Sequence, residues 1–246
     1  MHNDILTIMW KEGKGLLRYG DDRWKGIAIL VTPIALFGIL IPIQFRDGWL
    51  TSGWSLGVSF FTPLMLIAST IAESFAGERE RHTLETLLAS RLPDRAILFG
   101  KLLVSILFGW GISLLLLFVS LMVVNLLDGR SGFQGYQANI LWMDILGSLL
   151  FAGFVSGLGT VISLRSATVQ STSQSLMVML ILPFLLLQGV VFLLPVFLPK
   201  ATIQAILDQL NFTKIIMVFL VAILVADIIL FLGALSRFKR SSLILS

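Results

Sequence analysis

ESFAGERERHTLETLLASRLPDRAILFGK, residues 73–101, carries ten charged side chains in a chain whose charged fraction is only 13%. Apolar runs long enough to cross a bilayer flank it on both sides. A charge at the bilayer centre costs about 2.5–3.5 kcal/mol on insertion scales, so an insert this polar belongs in water between two spans. Within it Leu84, Leu87, Leu88 and Leu92 recur at helical spacing, while Glu78, Arg79, Glu80, Arg81, His82 and Glu85 fall largely elsewhere. The spacing predicts a short amphipathic helix outside the membrane, with an apolar stripe to bury. The Thr83 hydroxyl is placed to cap its first turn, Glu85 to complement the positive end of its dipole, and Pro93 to stop it. Taken only as a charge run, the same stretch reads as a solvated loop.

Composition sets the class. Hydrophobic residues make up 57% of the chain and the mean hydropathy is +0.94, which is the composition of an integral membrane protein. The chain has no cysteine, which excludes disulfides and thiolate metal sites. A net charge of +4 in a soluble protein would point to nucleic acid; here topology accounts for it, and no nucleic-acid partner is expected. Both histidines, His2 and His82, lie outside the predicted spans, which argues against an intramembrane Ser-His pair or a histidine-held metal. Gly100-Lys101 is followed by Leu102, so the phosphate-loop motif is missing and ATP binding by that route is excluded.

The chain divides into six predicted spans. Residues 1–25 place Asp4, Thr7, Lys11, Lys14 and Arg18 on one helical face, the pattern of an interfacial helix with basic side chains toward lipid headgroups. Spans follow at 26–43, 54–72, 96–127, 141–164, 168–189 and 214–235. The fourth holds Gly147, Gly153, Gly157 and Gly159, and small residues of this kind let helix backbones approach closely. Residues 166–198 form 33 uncharged positions. One straight helix of that length, about 50 Å, overshoots a hydrocarbon core of roughly 30 Å. A break is therefore expected near Gly189, with residues 190–210 folding back as short re-entrant helices at the extracellular mouth. Of the 18 lysines and arginines, fourteen then fall on the side of both termini and the 73–101 insert, and four on the other. That asymmetry makes the termini and the insert cytoplasmic.

The polar insert also carries a resemblance. Glu78-Arg79-Glu80, Thr83-Leu84-Glu85, Leu87-Leu88, Pro93 and Gly100-Lys101 resemble, in order, the segment after the second span in type-2 permeases of ATP-binding-cassette (ABC) transporters. His82 stands where that family most often has glycine. The resemblance implies that residues 78–92 form the coupling helix, with Glu78, Arg79, Glu80, Arg81, Thr83, Leu84, Glu85, Leu87 and Leu88 docking into a separate ATPase subunit. It further implies that the N-terminal helix touches that ATPase, that ATP and Mg are held by the partner and no cofactor by this chain, and that a second permease subunit completes the pathway, as a homo- or heterodimer. Glu73 looks like the carboxylate that precedes the coupling run in family members; it either bonds the coupling helix to its own span or marks the interface.

Two carboxylates fall inside predicted spans, Asp227 near the middle of the sixth and Asp144 near the outer end of the fourth. Each is a candidate for the translocation path, as a cation or proton site, or else a hydrogen-bonded contact between helices. The expectation is therefore an all-α polytopic protein of the cell membrane, one transmembrane domain over 1–246. Its expected function is that of the non-catalytic permease subunit of an ABC exporter. The alternative is a secondary transporter using an intramembrane aspartate as its proton or sodium site.

Overall fold

The structure, a computed structural model, describes residues 2–17, 31–83, 91–127, 132–199, 202 and 211–237. Among the described residues every regular element is a helix. This suits a chain whose backbone groups must be satisfied without water. We number the helices in order: α1 (His2–Leu17), α2 (Val31–Phe45), the single-turn α3 (Asp47–Thr51), α4 (Trp54–Glu80), α5 (Asp94–Leu127), α6 (Ala138–Ser163), α7 (Val169–Phe197) and α8 (Phe212–Arg237). Helices α4 to α8 are each long and apolar enough to cross a membrane, and α2 is a shorter apolar helix. Residues 26–30 of the expected first span lie outside the described residues.

Helix α4 is the axis of the bundle. It packs against α5, α6 and α7, while α6 also packs against α8, and α1 lies along the start of α5. Ile67, Ala68 and Ile71 of α4 are wholly inaccessible. The close approach rests on glycine. A Cβ on Gly159 of α6 would stand 2.2 Å from Ile71 Cγ2, and one on Gly109 of α5 would stand 2.6 Å from Ile67 Cδ1. In its most apolar window α4 is 67% buried, whereas α7 and α8 are 6% buried, so these two present most of their surface outward.

Two expected boundaries are corrected. The second-span helix does not end at Ala72. It widens into a π-helical stretch at Glu73–Gly77 and then closes as an α-helix at Glu78–Glu80. Residues 78–80 thus finish the second span instead of opening a separate helix, and residues 84–90, the remainder of that expected helix with Leu84, Glu85, Leu87 and Leu88, lie outside the described residues. Nor does α7 break at Gly189; it runs on through Pro195 to Phe197. A helical glycine costs only about 1 kcal/mol, less than the unpaired backbone groups a break in apolar surroundings would leave. The helix ends where Leu198 turns extended ahead of Pro199, the conformation a following proline favours. Its 29 residues make a rod of about 44 Å, longer than the hydrocarbon core, so it tilts or projects. Of the expected re-entrant segment beyond it, 200–201 and 203–210 lie outside the described residues.

At the end of the bundle remote from α1, the chain reverses through Arg46, whose φ of 43° is left-handed. Helix α3 then tucks Trp49 and Leu50 against Val124. Trp49 Nε1 donates to Tyr136 Oη at 3.1 Å, Gln137 N donates to Leu50 O at 3.1 Å, and Asn125 Nδ2 donates to Gln134 O at 2.9 Å. Burial pushes the Tyr136 hydroxyl up to about 12, so it stays neutral.

Helix contact through glycine predicts opposite outcomes at two sites. Gly159→Ala is expected to lower stability by about 1–3 kcal/mol through overpacking. Gly111→Ala, where a Cβ meets nothing within 4 Å, is expected to be neutral or stabilising by up to about 1 kcal/mol. Thermal unfolding of the purified variants in detergent checks both.

Candidate functional site

The charged end of the bundle is organised by a lysine. Lys101, about two turns into α5, is 1% exposed. Its Nζ lies 3.2 Å from Glu12 Oε1 of α1 and 3.0 Å from Glu78 Oε2 of α4. It also donates to Ser74 O and sits 5.1 Å above the Phe75 ring. Lys11 completes the group, its Nζ 2.9 Å from Glu78 Oε1 and 3.6 Å from Glu12 Oε1. Two cations and two carboxylates therefore neutralise one another across three helices. Burial lowers the Lys11 pKa, but the hydrogen bond and charge of Glu78, with those of Glu12, outweigh it and leave the group raised. Such a group contributes its stability below the ordinary lysine value of 10.5 and loses it only as pH climbs beyond.

The next two residues of α4 turn to a different neighbour. Arg79 donates from Nη1 to Ser166 O at 2.9 Å and from Nη2 to Leu164 O at 3.0 Å. Those carbonyls close α6, the end where a cation is favoured by the helix dipole. Glu80 Oε2 accepts from Val169 N at 3.2 Å, the first residue of α7, where the dipole favours an anion. The Thr168 hydroxyl accepts from Ser171 N at 3.2 Å and caps the same helix. The widened turn below has a partner too, since Ala76 N donates to Ser163 Oγ at 3.0 Å. Glu78, Arg79 and Glu80 thus hold α1, α5 and the α6–α7 turn to the end of the second span.

Arg81, His82 and Thr83 follow, all exposed. Thr83 N donates to Glu78 O at 2.9 Å and His82 N to Arg79 O at 3.0 Å, with His82 at a φ of 56°. This is the left-handed closure that glycine usually provides at a helix C-terminus, which accounts for the glycine that the resemblance places here; in this chain histidine adopts it. The Thr83 hydroxyl points backward, to Glu78 O at 3.2 Å.

The two intramembrane carboxylates are not brought together. Asp144 lies in the α4–α6 seam, fully buried, and its Oδ2 accepts from Ser55 Oγ at 2.7 Å. Asp227 lies in the α6–α8 seam beside Gly153, where an added Cβ would stand 3.0 Å from its Oδ2. Sequence reasoning missed the roles of Lys101, Lys11 and Glu12. The available signal was a lysine within the apolar start of a long span, which needs carboxylates if it is buried. Lys11-Glu12 offered one on an amphipathic helix.

An all-helical bundle with five helices long and apolar enough to cross a membrane, and a charged cluster at one end, defines a multi-pass membrane protein. A family model described as ABC-2 type transporter matches residues 4–225, and the chain belongs to that family. It is a membrane permease component of ABC-type transporters, a family that associates with ABC ATPase partners. No curated protein matches the chain.

Breaking a buried ion pair from one side leaves uncompensated charge. Lys101→Met is therefore expected to destabilise the protein by about 3–5 kcal/mol, and adding Glu12→Gln and Glu78→Gln to it is expected to recover part of the loss. The check is a thermal unfolding series on single and combined variants. Independent, additive losses would remove the network.

Proposed function

We propose that this chain is the permease of an ABC exporter, with both termini and the charged end of the bundle in the cytoplasm. Residues 84–90, the part of the expected coupling segment that the second-span helix does not take up, dock through Leu84, Leu87 and Leu88 into a separate ATPase subunit holding ATP and Mg. Six spans, counting α2 with the residues that precede it, make half of the translocation unit, and a second permease subunit makes the other half. One observation carries this reading. The residues immediately before the docking segment, Glu78, Arg79 and Glu80, are bonded to α1, α5 and the α6–α7 turn. Force applied at 84–90 on ATP binding therefore reaches several helices at once. Closure of the ATPase pair shifts the coupling helices, and the spans switch between inward- and outward-facing arrangements. Membership of the ABC-2 family does not favour the secondary-transporter alternative.

Docking through the leucines is tested by Leu84→Asp with Leu87→Asp. A charge forced into a buried docking face costs several kcal/mol, so ATPase retention on the purified subunit is expected to fall at least tenfold. Unchanged retention excludes the docking role.

Orientation is tested with single cysteines, placed cleanly in a chain that has none. Lys200→Cys, Gln204→Cys and Asp208→Cys are expected to react with a membrane-impermeant thiol reagent from outside, and Ser90→Cys only from the cytoplasm. Reversal of that pattern overturns the topology and the fold-back of the segment after α7.

A further inference from the structure

Polar side chains within the spans turn inward, with one exception in α7. Ser59 and Thr62 of α4, Ser113 and Ser120 of α5, and Ser148 and Ser156 of α6 are all buried. Gln188 of α7 is exposed, and no hydrogen bond to its amide is found among the described residues. Apart from Gln188, the stretch of α7 from Leu176 to Phe197 is apolar and about 32 Å long, close to the thickness of a hydrocarbon core. Gln188 stands near its midpoint, about 18 Å from one end and about 14 Å from the other, too far for a short side chain to reach headgroup water. A carboxamide facing acyl chains there forfeits its hydrogen bonds, which is costly. The helix also parts from its own bundle at this level. Leu176, Met177, Leu180 and Ile181 pack into the main core. From Leu182 to Phe197 every residue whose burial is described is exposed, except Leu194.

We propose that α7 is the contact between two copies of this chain, with Gln188 hydrogen-bonded to the partner's Gln188 across a two-fold axis. A carboxamide carries two N–H donors and an acceptor oxygen, so it is complementary to itself, as a carboxylate or an ammonium is not. A two-fold axis brings one position against its own copy, and the two amides then exchange a pair of N–H···O bonds. Phe184 and Phe192, one turn to either side of Gln188 on the same face and both exposed, pack around the amides and exclude lipid. A Cβ on the adjacent Gly189 would meet nothing within 4 Å, and a small residue at that place lets two backbones approach closely. Acyl chains would cover the phenylalanines equally well but offer the amide nothing, so it is the amide that selects a protein partner. Helix α8 makes no such demand. Between Ile215 and Leu235 its one polar side chain, Asp227, is turned to Gly153 of α6, and lipid suffices for its outer face. This inference rests on the two-subunit reading above and adds that the second subunit is the same chain, joined through α7.

The chain has no cysteine, so single thiols report the contact directly. Gln188→Cys in the full-length chain, oxidised with copper-phenanthroline in the membranes of the producing cells, is expected to give a species of twice the chain's mass that reductant reverses. Ile229→Cys, on the exposed face of α8, is expected to stay unjoined under the same treatment. The second measurement is the dimer dissociation constant of the purified chain in detergent. Gln188→Leu, at an exposed position on which the fold of one chain does not depend, is expected to raise that constant about tenfold, and Gln188→Asn, which keeps the carboxamide, to hold it within about threefold. A dimer whose Gln188→Cys thiols do not join, or join no faster than those of Ile229→Cys, overturns this interface and leaves the two-subunit reading standing. So does a joined product of any other mass, which identifies a different membrane protein on α7. A dissociation constant unmoved by Gln188→Leu overturns the carboxamide pair. A chain found alone, neither self-associated nor with another permease, overturns the two-subunit reading as well.

Discussion

An ammonium group shut away from water must be met by negative charge, and the charged end of this protein is built around that requirement at Lys101. The amine is inaccessible, so Glu12 and Glu78 must come to it from two other helices. Meeting it draws α1 onto α5, close enough that a Cβ on Gly100 would stand 2.7 Å from Ile8 Cγ2. It also fixes where α4 ends. Replacing such a cluster with apolar groups is often neutral or stabilising. Its worth therefore lies in specifying which helices meet, and at which register.

The π-helical stretch at Glu73–Gly77 serves the same geometry. A wider turn leaves a backbone amide to be satisfied from outside the helix, and Ala76 N takes Ser163 Oγ from α6. Such bulges often accompany functional positions. Beyond this one, three consecutive charged residues address different partners. Glu78 faces the lysines, Arg79 the end of α6, and Glu80 the start of α7. The base-then-acid order of Arg79 and Glu80 matches the order of the two helix poles in the adjacent turn, the end of α6 and then the start of α7.

The helices were legible in the sequence because long uncharged runs leave the backbone no other way to satisfy itself. Their ends were less so. Residues 73–80 carry charge and read as part of a water-exposed insert, yet contacts with α6 and the α6–α7 turn keep them on the second-span helix. Gly189 looked like a break point because length was weighed without the cost of interrupting a helix in apolar surroundings. Asp144 and Asp227 stood out as charges inside apolar runs. The serines opposite Asp144 did not, since Ser55 and Ser59 are unremarkable residues until the fold sets α6 against them. Lys101 gave no such signal, because a lysine near the start of an apolar run looks the same whether it reaches water or carboxylates.

The order of synthesis gives the Lys101 cluster a direction in time. Glu12 and Glu78 emerge from the ribosome before Lys101 does, so the acidic half of the cluster already exists when the amine arrives. Translation proceeds at about 5–20 residues per second, which leaves α1 and the end of α4 available as a waiting receptor while α5 enters the membrane. A lysine near the head of a 34-residue apolar helix would otherwise be free to set that helix deeper or shallower in the bilayer. Capture by the two carboxylates is expected to fix its depth as α5 inserts, before α7 and α8 reach the membrane. The later helices are then assembled against a half-bundle whose register has already been set.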